Sequence, residues 1–193
     1  MRVPVHDPAQ PGGPELGRRE LARVLLLAVA AVAATACDDG PGGGVAGLDA
    51  LAAEVVADTP DLAALLARLR PDPADVAEVF AADTVVAAVR HYDGYWLHPR
   101  VVPPTRTQTA HRVTSVGVEE LAAGTGAAAT FPSGYRDVAP HLRPGLVLHR
   151  ITFTEPGAAS GIDVDALVLV RGRWRLFPTP WFVLLVDDPG HRH

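Results

Sequence analysis

Leucine and valine recur through residues 48–90 at the spacing of a helix. Leu48, Leu51 and Val55 fall on one apolar stripe, and Leu62, Leu65, Leu66 and Leu69 on a second. Thr59-Pro60-Asp61 opens the second helix with a capping hydroxyl, a proline at the first position and an early acid, and Pro71 ends it. Asp72-Pro73 repeats that start chemistry. Val76, Val79, Val86 and Val89 then predict a third helix to about Arg90, with Phe80 beside its stripe. Residues 91–106 are aromatic and turn-rich, and Pro99, Pro103 and Pro104 forbid long regular structure there. After that the period drops to two. Residues 107–116 read as a threonine-rich strand near a sheet edge. Glu119-Glu120-Leu121 forms one helical turn, stopped by Gly124 and Gly126. Residues 131–135 read as a surface loop and residues 137–141 as a turn that Pro144-Gly145 closes.

Residues 146–154 form a strand with Val147, His149, Ile151 and Phe153 on one face and Leu148, Arg150 and Thr152 on the other. A second strand spans residues 163–170, and Arg171-Gly172 turns it back into residues 173–177. That register sets Leu169 opposite Trp174 and Leu167 opposite Leu176, with Val170 opposite Arg173 and Val168 opposite Arg175. Residues 181–186 add a final apolar strand after Pro178-Thr179-Pro180. Helices followed by strands is an α+β order: about three N-terminal helices packed on a C-terminal antiparallel sheet. In element order this resembles the nuclear-transport-factor-like cone, which implies a pocket between sheet and helices.

Ahead of this domain the pattern is different. Arg18, Arg19 and Arg23 precede an unbroken apolar run from Val24, and Ala34-Thr35-Ala36 places small residues before the only cysteine, Cys37. A charged start, an apolar middle and a small-residue exit make a secretory signal. The run of about 13 residues spans about 20 Å as a helix, short of the roughly 30 Å of hydrocarbon a permanent span must cross. With Cys37 directly after the small residues, the stretch resembles a bacterial lipoprotein signal peptide with the lipobox Ala34-Thr35-Ala36-Cys37. The resemblance implies cleavage after residue 36 and acyl chains, palmitate among them, on Cys37. Arg18-Arg19 also matches the core of a twin-arginine signal, and Asp38 resembles a signal for inner-membrane retention. The expected organisation is a signal peptide over 1–36, a glycine-rich tether over 37–47, one globular domain over 48–186 and a frayed tail over 187–193.

Composition narrows the chemistry. The chain has 193 residues, one cysteine and a formal net charge of −5, and all 17 of its basic residues are arginine. Without lysine there is no Schiff base, no phosphate-loop lysine and no Ser–Lys dyad. A lipidated Cys37 leaves no thiol for a disulfide or a zinc site. No basic cluster points to nucleic acid. The histidines form no metal-ligand spacing, so neither metal nor cofactor is expected. Asp137 and His141 would share a helical turn as an acid–base pair, but Pro140 interrupts that turn. Three residues stand out as pocket candidates. His149 lies by parity among Val147, Ile151 and Phe153, and Asp163 and Asp165 share by parity the face of Leu167 and Leu169. The two carboxylates would line a pocket mouth with His149 or pair with Arg136 or Arg143. Trp174, Trp181 and Phe182 would pack the sheet end or form a sugar platform. Arg171, Arg173 and Arg175 would face solvent or anionic lipid head groups. The expected function is a lipid-anchored extracytoplasmic protein, bound to the membrane through Cys37 and serving as a binding or interaction module with an envelope protein partner. The alternative is a small-ligand carrier or enzyme using His149 with Asp163 or Asp165.

Overall fold

The computed structural model describes residues 44–57 and 60–186. The signal peptide, Cys37, Thr59 and the tail over 187–193 lie outside the described residues. Four helices precede the sheet: α1 (Gly44–Val55), α2 (Leu62–Leu69), α3 (Pro73–Val79) and α4 (Val85–Tyr95). The first turn of α1 takes in residues 44–47, which the sequence pattern assigns to the tether. Asp61 caps α2 by accepting from Ala64 N–H at 2.9 Å. Asp72 and Asp75 form a reciprocal capping box at the start of α3, each carboxylate accepting the other's backbone N–H.

The expected third helix is two helices. Phe80 leaves α3 in an extended conformation and bridges Leu142, with Ala81 N–H donating to His141 C=O and Arg143 N–H donating to Val79 C=O. Phe80 is fully buried and packs against the rings of Tyr92 and Phe177. Burying that ring rotates the next helix, so Ala87, Ala88 and Tyr92 face the core while Val86 is 70% exposed. The helix then runs on to Tyr95, five residues beyond the expected end.

The sheet is an antiparallel meander in the order β1-β2-β3-β4, with β1 (Ala110–Gly117), β2 (Val147–Thr154), β3 (Ile162–Val170) and β4 (Arg173–Leu176). β1 is an edge strand, as its polar pattern predicts. All four expected β3–β4 pairs are present, and Arg171 and Gly172 both take positive φ, as a tight twisted hairpin requires. Between β1 and β2 lie two short helices, α5 (Val118–Ala123) and α6 (Gly134–Val138), each followed by a 3-10 turn. Residues 131–135 are not a surface loop: Phe131 and Tyr135 are buried against the sheet and the last helix. That last helix replaces the expected final strand. Thr179 is left-handed and Pro180 occupies the first position of a 3-10 helix (Pro180–Leu185), which buries Val183 and leaves Phe182 and Leu185 exposed.

Apolar residues cover both faces of the sheet. Ile151, Phe153, Leu167 and Leu176 meet α1 and α2 around a cleft of about 50 Å³. On the other face α5 packs against β1, α3 packs against β3, and Phe131 lies under Arg150. Among the described residues no helix is long and apolar enough to cross a membrane.

Candidate functional site

One irregularity decides where the candidate side chains go. His149 pairs with Leu167, yet Ile151 pairs with Val164, so β3 carries one more residue than β2 across this interval. The extra residue is a β-bulge, with Ala166 at φ 60°. Because side chains alternate, one inserted residue exchanges the faces of everything before it. Asp163 and Asp165 therefore lie on the face of Arg150 and Thr152, not on that of Leu167 and Leu169. His149 remains on the opposite face. The fold separates the three pocket candidates into one histidine and a carboxylate pair.

His149 sits against β1 and β4, with Nδ1 at 2.8 Å from Ser115 Oγ and its ring edge-on to Trp174 at 5.1 Å. Burial lowers its pKa to about 4 from the usual 6.5, so the ring is neutral at physiological pH. A folded-state pKa below the unfolded one makes the unfolded chain bind the proton first. The stability this provides is whole above pH 6.5 and is lost as pH falls toward 4, by about 1.4 kcal/mol per pH unit. His91, also depressed by burial, acts in the same direction. Urea midpoints measured across this window should fall in the parent and change by less than half as much in His149→Gln. An equal slope in both proteins would show that His149 is not the titrating group.

The carboxylates meet Arg150. Its Nε and Nη2 donate to the two oxygens of Asp165, its Nη1 donates to Thr130 C=O at 2.9 Å, and its guanidinium stacks 4.0 Å above the Phe131 ring. Asp163 accepts from Thr152 Oγ1 at 2.6 Å and lies 3.6 Å from Arg150 Nη1. Arg150, and neither Arg136 nor Arg143, is the partner. Burial pushes the Asp165 carboxyl up, the Arg150 fork pulls it back, and the nearby Asp163 charge adds to the rise. Asp163 keeps 41% of its side chain exposed, so one carboxylate of the pair faces outward.

β4 ends at Leu176, while β3 continues to Ile162, so beyond Ala166 this half of β3 pairs with β2 but has no strand on its β4 edge. A pocket of about 200 Å³ occupies this gap. Asp163, Asp165, Tyr95, Arg100, Tyr135 and Trp181 line it, together with the left-handed Thr179. The Tyr135 hydroxyl is buried and has no hydrogen-bond partner among the described residues. Trp181 reaches the wall only because position 134 is glycine: a Cβ there would lie 2.4 Å from the indole. Two non-glycine residues with positive φ, Ala166 and Thr179, thus flank the same pocket. Backbone strain of this kind, of order 1–3 kcal/mol per residue, tends to persist where geometry is functionally constrained. Sequence reasoning missed Tyr135, Arg100 and Tyr95. The segment 131–135 reads as turn-forming, and no local signal brings it to β3.

The remaining candidates take structural positions. His141 Nδ1 lies 3.3 Å from Thr84 Oγ1. Trp174 packs on His149. Arg171 and Arg175 bind Asp72 and Asp75; Arg175 is buried, while Arg171 and Arg173 remain exposed. Among the described residues no group of three or more His, Cys, Asp or Glu could hold a metal ion. No protein-family model, curated protein or solved structure matches the chain.

Proposed function

We propose that the chain is an exported, lipid-anchored binding module of the cell envelope, held to the membrane through Cys37. Its domain takes up a small, uncharged, hydroxyl-bearing ligand in the pocket beside β3. The observation that carries the binding role is the convergence at this gap of an outward carboxylate, an unpartnered tyrosine hydroxyl and two aromatic walls. Asp163 and Asp165 accept from ligand hydroxyls, while Tyr135 and Arg100 donate. Trp181 and Tyr95 offer apolar faces to a ring. The two acids are balanced by Arg150 and Arg100, which favours an uncharged ligand over an ion. A volume of about 200 Å³ lies below the usual range for drug-sized ligands, which suits a single ring.

Two measurements test the two halves of this reading. Cys37→Ser should abolish acyl labelling and detergent partitioning; a variant that partitions like the parent removes the anchor. Titration with methyl glycosides should give saturable binding that Tyr135→Phe and Asp163→Ala each weaken by about tenfold, the size expected for one lost hydrogen bond. No binding by any glycoside, or equal binding by both variants, removes the pocket.

A further inference from the structure

A second candidate site lies along β4. There α1, α2 and the β4 edge enclose a groove of about 580 Å³ whose wall carries Arg68, Arg70, Arg173 and Arg175, with Trp174 and a single acid, Glu54. A concentration of four guanidiniums is notable on a chain with a formal net charge of −5. They are not equivalent. Arg175 is buried and committed to Asp75 and to the Arg68 carbonyl. Arg68 meets Glu54 at 2.5 Å with more than half of its side chain exposed. Arg173, 53% exposed, comes only within 3.7 Å of Asp72 and Asp75, whose oxygens Arg171 already engages. Arg70 is exposed and makes no side-chain hydrogen bond or ion pair among the described residues.

Like charges converging on a concave surface focus their potential into it. A guanidinium also presents paired donors that match the oxygens of a phosphate. We infer that this groove binds a phosphate ester. Arg70 and Arg173 grip the phosphate, Arg68 is shared with Glu54, and Trp174 packs against the carbon skeleton of the ester. The volume favours an ester over bare phosphate, because 580 Å³ falls within the usual range for organic ligands. The ester is either a soluble metabolite or the head group of an anionic lipid. Only six residues separate Cys37 from α1, so a lipid on Cys37 would hold α1 within about 25 Å of the bilayer. The head-group source rests on the proposed anchor; the phosphate chemistry does not.

The mature protein in non-ionic detergent, titrated with glycerol phosphate and with glycerol, tests the chemistry by calorimetry. Saturable binding of glycerol phosphate at about millimolar strength or tighter is expected, with none of glycerol. An Arg70→Ala, Arg173→Ala double variant should bind at least about tenfold more weakly while keeping the parent's thermal midpoint. Both side chains are exposed, and Arg171 and Arg175 keep Asp75 paired without Arg173. The same protein on phosphatidylcholine vesicles, with and without phosphatidylglycerol, separates the sources through amide exchange at residues 68–70 and 173–175. Protection only with phosphatidylglycerol supports the groove and assigns it to the head group. Glycerol phosphate binding without such protection supports it and assigns a soluble ester. Absence of both, or equal binding by the double variant, overturns the inference. Failure to float with neutral vesicles counts against the anchor alone.

Discussion

Replacing Asp75 by alanine is expected to cost about 3–5 kcal/mol of unfolding free energy, the range for removing one partner from a buried ion pair. The carboxylate is fully buried and serves several donors at once. Asp72 N–H reaches one oxygen at 3.0 Å, Arg175 Nε reaches the same oxygen at 2.7 Å, and Arg171 Nε and Nη2 reach the other at 2.9 and 2.5 Å. Burial pushes its pKa up, but these donors outweigh burial and hold the carboxyl below its usual value. Its contribution is therefore present above the unfolded pKa of 3.8 and is lost as pH falls below that value. Alanine removes the acid and leaves Arg175 buried with only the Arg68 carbonyl. It also opens the capping box of α3 and leaves the left-handed Arg171 held by Asp72 alone. Denaturant titration should show a lower midpoint with an unchanged slope. An Asp75→Ala, Arg175→Met double variant should recover part of the loss, because the stranded charge is then gone. A loss under about 1 kcal/mol, the level of an exposed pair, would contradict this account.

Arg150→Met should be the next most costly change, at roughly 3 kcal/mol near neutral pH. Methionine fills the aliphatic volume above Phe131 but removes the fork from Asp165 and the donor to Thr130 C=O. The penalty should depend on pH in a definite direction. Burial already raises the Asp165 pKa in the folded protein, and loss of Arg150 would raise it further. A folded-state pKa above the unfolded one favours folding when the acid is protonated and opposes it as pH rises through the folded value. The difference between parent and variant should accordingly shrink in acid and grow toward neutrality. A difference independent of pH would mean that Asp165 is hydrated and not the stranded group. Arg150→Lys should rescue little, since an ammonium cannot reproduce the bidentate fork.

These two clusters show how differently the chain's parts can be read from its sequence. The β3–β4 hairpin was legible to the residue pair, because alternation and a two-residue turn leave one register that buries Leu167 and Leu176 together. The leading helices and the proline start of α3 were legible for the same local reasons, whereas α2 begins after Pro60, with Asp61 rather than Thr59 as its cap. The final helix could have been read too, since proline at a first helical position after a turn is a start signal. The faces of Asp163 and Asp165 could not. Straight alternation from Leu167 gives the wrong side, and the bulge that reverses it sits at Ala166, a residue with no preference for positive φ. The partner of these acids is Arg150 on a neighbouring strand, and nothing in the local sequence favours it over Arg136 or Arg143.

What the amino-acid sequence determined by itself is the α+β class, the helices ahead of the sheet and the β3–β4 pairing, because helical and strand periods are local properties of neighbouring side chains. What only the tertiary structure decided is which charges are bound and which are free. Arg171 and Arg175 are drawn to Asp72 and Asp75 across about a hundred residues, which leaves Arg68, Arg70 and Arg173 as the exposed cations lining the groove beside β4. The physical reason is that desolvation and ion pairing depend on separation in space, and here that separation was set by one inserted residue in β3 and by the docking of α3 on the hairpin.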